Sequence, residues 1–175
     1  MNQALENRLR LLIARPGEIN EHLETLHRLA CKCQTITEFG VRTGNSTTAF
    51  LAAEPRRLTS VDIMPCPVIV ELQKLVGPET NFVFYQANSA EIDIEPTDLL
   101  FIDSDHSYDH LARELTRHAP KVSKYIALHD THPVCGSHET SMWKAIGELI
   151  AAGEFRIIEH FTNNYGLTIL ERLCL

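Results

Sequence analysis

Apolar residues recur at helical spacing near the start of the chain. Leu5, Leu9, Leu12 and Ile13 mark one helix over residues 2–14. Arg15-Pro16-Gly17 interrupts it, and Ile19, Leu23, Leu26, Leu29 and Ala30 form one face of a second helix over residues 18–32. From Thr35 onward, short apolar runs alternate with helical patterns. Strands are expected at 35–39, 58–61, 81–87, 98–102 and 125–128, and helices at 47–53, 67–76, 108–119 and 139–152. Two closing runs, 155–161 and 167–173, flank Asn163-Asn164-Tyr165-Gly166, which has the composition of a hairpin turn. Alternating strands and helices imply βαβ units and a mostly parallel sheet, with the final hairpin turning the last strand antiparallel. No linker, repeat or low-complexity stretch divides the chain, so one domain is expected over 1–175, with helices over 1–33 preceding an α/β core over 34–175.

Composition narrows the partners. A chain of 175 residues can bury a sizeable core. A net charge of −7 argues against extended nucleic-acid binding, which draws its affinity from neutralised phosphates. No apolar run reaches the length of a membrane span, and charges break the apolar positions near Met1, unlike a signal peptide. Cys31, Cys33, Cys66, Cys135 and Cys174 are scattered and odd in number, and Cys31-Lys-Cys33 lacks CxxC spacing. Reduced thiols in a cytoplasmic protein are expected.

The candidate chemistry lies at the strand ends, because ligands of open α/β sheets bind beyond the carboxyl edge. Residues 35–46, TITEFGVRTGNS, read as a strand ending at Glu38-Phe39, a turn containing Gly40 and Gly44, and a polar helix start at Asn45-Ser46. Such a turn brings backbone close to a ligand and aims free N–H groups at it. Asp62 closes the next strand 24 residues after Glu38 and is placed to accept ribose hydroxyls. Arg42 stands where a dinucleotide fingerprint has its middle glycine, which favours a nucleoside without a close pyrophosphate over NAD. Asn88-Ser89 end the third strand.

A second constellation comprises Asp103, Asp105, His106, His129, Asp130 and His132. Carboxylates and imidazoles from two neighbouring strand ends suit a divalent cation, with Asp103 and Asp130 as ligands and His106 as a nearby base. Asp105 serves equally well as a helix cap. His22, His27, His110, His118 and His160 are expected to be surface or hydrogen-bonded residues, and Trp143 and Tyr165 core or pocket wall.

Residues 38–46, EFGVRTGNS, followed by Asp62, resemble motif I and the acidic second motif of class I S-adenosylmethionine-dependent methyltransferases. FIDSDHSY at 101–108 and ALHDT at 127–131 resemble a narrower branch. It contains the metal-dependent sugar and macrolide O-methyltransferases, the rhamnosyl O-methyltransferases and cephalosporin-hydroxylase-like proteins. The resemblance spans residues 35–173 and implies a Rossmann-like, seven-stranded, mostly parallel sheet of order 3-2-1-4-5-7-6. Helices would cover both faces, with an N-terminal helical pair.

By the same resemblance, Glu38, Gly40 and Gly44, with Ser46 at the helix start, line the methionine and ribose part of the cofactor site. Asp62 holds the ribose, and Asn88 and Ser89 lie near the adenine. Asp103 ligates a metal and His106 is the general base. The branch carries a Glu-Asp pair where this chain has His129-Asp130; an imidazole there is a poor Mg²⁺ ligand but suits Mn²⁺, Fe²⁺ or Zn²⁺. Val122-Ser123-Lys124 replaces the branch's Pro-Gly-Gly.

The expected activity is methyl transfer from S-adenosylmethionine to a hydroxyl oxygen of a small molecule, a sugar foremost, aided by Mg²⁺ or Mn²⁺. The N-terminal helices and the 132–139 loop would choose the acceptor, and a homo-oligomer could share the pocket. Two other readings use the same residues: a non-catalytic S-adenosylmethionine-binding or scaffolding protein, and a metal-dependent hydrolase or hydroxylase-like enzyme.

Overall fold

The computed structural model describes residues 2–132 and 139–173. Helix α1 spans Gln3–Ala14 and α2 spans Leu23–Ala30; β1 (Thr35–Phe39), α3 (Asn45–Ala52), β2 (Arg57–Asp62), α4 (Val68–Leu75) and β3 (Asn81–Gln86) follow. Then come β4 (Thr97–Ile102), α5 (Tyr108–His118), β5 (Val122–His129), α6 (Glu139–Ala151), β6 (Phe155–Phe161) and β7 (Leu167–Arg172). The seven strands form one sheet in the order β3-β2-β1-β4-β5-β7-β6. All pairs from β3 to β5 are parallel; β7 runs antiparallel to both β5 and β6. The expected fold class and strand order are therefore observed.

Strands β4 and β5 carry unbroken apolar runs, Leu99–Ile102 and Tyr125–Leu128, because helices cover both of their faces. On one side, Ile36, Leu58, Leu99 and Phe101 meet Phe50 and Leu51 of α3 and Leu23, Leu26 and Leu29 of α2. On the other side, Phe39, Leu100, Ile102, Ile126 and Leu128 meet Leu111 and Leu115 of α5 and Met142 and Ile146 of α6. The N-terminal helices thus complete one layer of the core, with α1 and α2 both packed on α3.

Two boundaries shift by three residues or more from the pattern, each for a local reason. The second helix starts late. The Asn20 side chain accepts from the Gly17 N–H at 3.0 Å and donates to the Ile13 carbonyl at 3.3 Å. Residues 20–22 therefore make only a 3₁₀ turn before α2 begins. Strand β5 starts early, because Val122 pairs with Thr97 and is buried. The Ser123 hydroxyl also donates to Asp98 at 2.7 Å.

At the carboxyl edge, β1 passes into a turn that rests directly on β4. The Gly40 N–H donates to the Val61 carbonyl at 2.9 Å, and the Asp103 N–H donates to the Phe39 carbonyl at 2.8 Å. Gly40 has φ +86°, and a Cβ there would stand 2.0 Å from the Asp103 carbonyl oxygen. Gly40→Ala must therefore either separate β1 from β4 or strain the turn. A loss of several kcal/mol is expected. Gly77→Ala, whose added Cβ would meet nothing within 4 Å, should change stability by less than about 0.5 kcal/mol. Urea unfolding midpoints of the two variants check this; equal midpoints would contradict it.

Candidate active site

The glycine turn is braced from below and from the side. Glu38, one residue from the end of β1, is fully buried. It accepts from Ser46 Oγ at 2.6 Å, Thr47 Oγ1 at 2.9 Å and Ser60 Oγ at 2.6 Å. Its carboxyl thus ties the first turn of α3 to β2 beneath the turn. Burial pushes it up to about 7 against the three hydroxyl bonds. Ser46, the expected cofactor residue at the helix start, is buried on Glu38. Gly44 caps α3 in the left-handed conformation at φ +73°.

Asp62 closes the turn from the side. Its Oδ2 accepts from the amides of Val41 at 2.8 Å and Arg42 at 3.0 Å, and its Oδ1 from Met64 at 2.8 Å. Burial alone would raise its pKa, but these amides outweigh burial and hold the carboxyl below its ordinary value. Asp62 is therefore an ionised group fixed at the rim of the turn, with about one acceptor site, on Oδ1, left for a ligand's hydroxyl. Arg42, at φ 48°, pairs with Glu18 from the segment between α1 and α2.

The second constellation also assembles. Ligand atoms of Asp103, His129 and Asp130 all lie within 4.8 Å of one another. His129 Nδ1 is 3.4 Å from Asp103 Oδ1 and 3.3 Å from Asp130 Oδ1. His106 Nε2 is 2.9 Å from Asp130 Oδ2 and 3.7 Å from Asp103 Oδ1. Asp130 sits at φ 57°, an uncommon conformation for a residue with a side chain, just beyond the end of β5. The two carboxylates, Asp103 and Asp130, hold the His106 imidazole protonated up to about 10. Burial lowers the pKa of His129, but the same two carboxylates prevail and raise it to about 9. Burial would raise Asp130, yet the two imidazoles hold it well below the usual carboxylate range.

His129 is almost fully buried, and neither ring nitrogen has a hydrogen bond of ordinary geometry among the described residues. Two carboxylates converging on a buried imidazole without such bonds make a donor set that fits a divalent transition metal.

Residues from elsewhere in the chain pack around the cluster. His22, from the 3₁₀ turn before α2, lies edge-on to His129 with ring centroids 5.5 Å apart, and its Nε2–H donates to the Asn163 carbonyl at 3.0 Å. The hairpin at 163–166 grips the same segment: the Asn164 side chain donates to the Gly17 carbonyl at 2.7 Å and accepts from the Glu21 N–H at 3.3 Å. His132 joins the hairpin through its N–H, which donates to the Tyr165 carbonyl at 2.8 Å. Trp143 donates from Nε1 to the Thr131 carbonyl at 2.9 Å. Most of the expected acceptor loop, residues 133–138, lies outside the described residues.

Asp105 turns away from the cluster. Its Oδ1 accepts from the Ser107 N–H at 2.8 Å, leading into α5, whose N-cap is Ser107. Asn88 ties its own loop, accepting from the Ala90 N–H at 3.0 Å and donating to Glu91 at 3.0 Å. Ser89 faces α5, where His110 Nε2 lies 3.1 Å from its hydroxyl. Sequence reasoning missed Glu114, a fully buried carboxylate on α5 that reaches the loop after β4. Its helical spacing from His110 and His118 was the available signal.

A family model described as "Methyltransferase domain" matches residues 37–131. No curated protein matches the chain significantly. Among solved structures, the chain is similar to the O-methyltransferase TomG of Streptomyces achromogenes, solved with S-adenosylmethionine. The TM-score is 0.67 at 15% identity, covering 99% of this chain and 91% of that one. It is also similar to the N-methyltransferase NodS of Bradyrhizobium japonicum (TM-score 0.67, 14% identity, 89% and 96% covered). A third is the Burkholderia thailandensis 1,6-didemethyltoxoflavin-N1-methyltransferase (TM-score 0.66, 15% identity, 90% and 79% covered). At such identities the likeness is one of fold.

Glu38 gives a pH-dependent prediction. Below its ordinary pKa of 4.5 the carboxyl is protonated in folded and unfolded chains alike. Between there and about 7 only the unfolded chain gains by ionising, so stability falls as pH rises, by about 3 kcal/mol in all. Glu38→Gln keeps a side-chain acceptor but cannot ionise. Its urea midpoint should therefore change less than that of the wild type between pH 5 and 7. Parallel curves for the two proteins would overturn this assignment.

Proposed function

Because the chain belongs to the methyltransferase family whose domain model spans residues 37–131, we propose that it transfers a methyl group from S-adenosylmethionine to a hydroxyl oxygen of a small molecule, a sugar being the first class to test. The observation that carries this reading is the seating of Gly40 on the Asp103 backbone. That contact sets a nucleoside-type turn beside a carboxylate–histidine cluster, as a reaction between a bound donor and an activated hydroxyl requires. Solved relatives of similar fold methylate oxygen in one case and nitrogen in others by their names. The choice of oxygen therefore rests on the cluster.

In this reading the turn at residues 40–44 lies along the methionine and ribose of the donor, above the Glu38 brace. Asp62, ionised and fixed by three amides, accepts a ribose hydroxyl at its remaining site. Asn88 and Ser89 border the adenine. Asp103, His129 and Asp130 would hold a divalent cation, Mn²⁺ suiting the imidazole better than Mg²⁺. When bound, such a cation lowers the pKa of a coordinated hydroxyl.

Asp103 and Asp130, once engaged by a cation, would no longer hold the proton on His106, leaving a neutral imidazole beside the acceptor. His106 then takes the hydroxyl proton as the oxygen attacks the methyl carbon. The carbon–sulfur bond breaks as the carbon–oxygen bond forms, and S-adenosylhomocysteine leaves. Positioning supplies most of the acceleration, since the sulfonium is already a reactive donor. His22 and the 163–166 hairpin, packed against the cluster, contribute to the acceptor wall.

Calorimetry with S-adenosylhomocysteine tests the donor half: binding is expected, weakened at least tenfold in Asp62→Ala. No binding by the wild type would refute the reading. Transfer of labelled methyl to a panel of sugars and phenols tests the acceptor half. Turnover should fall on adding EDTA, return with Mn²⁺, and drop by 10² or more in His106→Ala with S-adenosylhomocysteine affinity retained. Full activity in His106→Ala would remove the base assignment, and full activity in EDTA the metal.

A further inference from the structure

Helix α5 carries a polar stripe on its buried side. His110, Glu114 and His118 follow one another at four-residue intervals, and Glu114 and His118 are fully buried beside Leu111 and Leu115. A buried, unneeded carboxylate costs several kcal/mol, so its bonds indicate what it is there to hold. Glu114 Oε1 accepts from Ser104 Oγ at 2.7 Å and lies 3.2 Å from His110 Nε2. That same His110 nitrogen is 3.1 Å from Ser89 Oγ, and His118 Nε2–H donates to the Ser89 carbonyl at 2.8 Å. Ser104 stands next to Asp103 in the loop that also carries His106, whereas Ser89 belongs to the loop between β3 and β4. Two loops from different strands thus converge on one carboxylate.

We infer that Glu114 is a positioning residue, which through Ser104 on one side and His110 and Ser89 on the other fixes the Asp103–His106 loop relative to the adenine end of the donor site. This goes beyond the assignments above and rests on the proposed reading only in naming what the two loops do. Glu114 touches no reacting atom. It restricts the loop that aims His106 and the loop that borders the donor, so that both move as one body with α5. Ser104 has no other hydrogen bond that would do this, among those described. The second oxygen of Glu114 is buried and has no hydrogen-bond partner among the described residues, so loop placement is maintained at the cost of an unsatisfied acceptor.

The test uses the full chain in Glu114→Ala, Glu114→Gln and Ser104→Ala. Two readouts are the imidazole proton–carbon NMR signals of His106 in metal-free protein and the affinity for S-adenosylhomocysteine. Glu114→Ala should split or broaden the His106 signal and weaken S-adenosylhomocysteine about tenfold, the effect expected for one lost buried tether. Glu114→Gln, which retains an acceptor for Ser104, should restore both towards wild type. Ser104→Ala, a milder change that spares the helix, should disturb the His106 signal while leaving S-adenosylhomocysteine affinity within about twofold. If Glu114→Ala fails to fold, the Ser104→Ala signal decides alone. A folded Glu114→Ala or Ser104→Ala with an unchanged His106 signal would overturn the inference. A wild type that does not bind S-adenosylhomocysteine refutes the donor reading but leaves the NMR arm in force.

Discussion

The contact between Gly40 and the Asp103 backbone governs the layout of the site. With no side chain in the way, the turn after β1 settles on the tip of β4, closed by the Asp103 N–H to the Phe39 carbonyl. Everything that would hold a nucleoside lies on one side of this junction, and everything that would activate an acceptor on the other. The parallel register delivers them there: Phe39 lies level with Val61 and with Ile102, and Ile102 with Leu128, so the polar residues after each strand emerge at one height.

Around that junction the protein treats its charges in two ways. Glu38 and Glu114 are sealed inside, each bonded to hydroxyls and each bearing the desolvation penalty in exchange for holding a loop. Asp62, Asp103 and Asp130 remain partly exposed at the carboxyl edge. Glu38 bonds Ser60, two residues before Asp62, and Glu114 bonds Ser104, the residue after Asp103. Asp130 alone adopts a left-handed backbone within the cluster, and it does so where two imidazoles meet it.

How much of this is legible in the sequence depends on the range of the interaction. Strands β1 and β6 fall on the residues marked for them: β1 is buried along most of its length, whereas β6, an exposed edge strand, is bounded by Gly153 and the 163–166 turn. The strand-end residues were legible because a polar group closes each apolar run: Asp62, Asp103 and His129-Asp130 stand at the run ends, and His106 follows three residues after Asp103. The role of Glu114 was not, since a buried carboxylate on a helix looks like a solvated one until its partner, ten residues earlier in a loop, is known. His22 was equally hidden. It meets His129 only because the 163–166 hairpin folds back on the segment before α2, a contact between distant parts of the chain. The late start of α2 has a similar cause, a side-chain bond from Asn20 competing with the helix ladder.

The position of β7 has a consequence for synthesis on the ribosome. This strand is the last of the seven in sequence, yet it lies between β5 and β6 and supplies the neighbour on which the far edge of β5 depends. Until residues 167–172 have emerged, β5 presents a row of unpaired backbone groups to any other extended chain nearby, nascent copies on the same message included. The half of the sheet bearing the glycine turn waits less: β1, β2 and β3 pair in the order they are made, and the other edge of β1 is covered once β4, residues 97–102, has emerged. Slow translation across the last hairpin would therefore lengthen the time in which the chain can pair wrongly, and it would do so on the strand that carries His129.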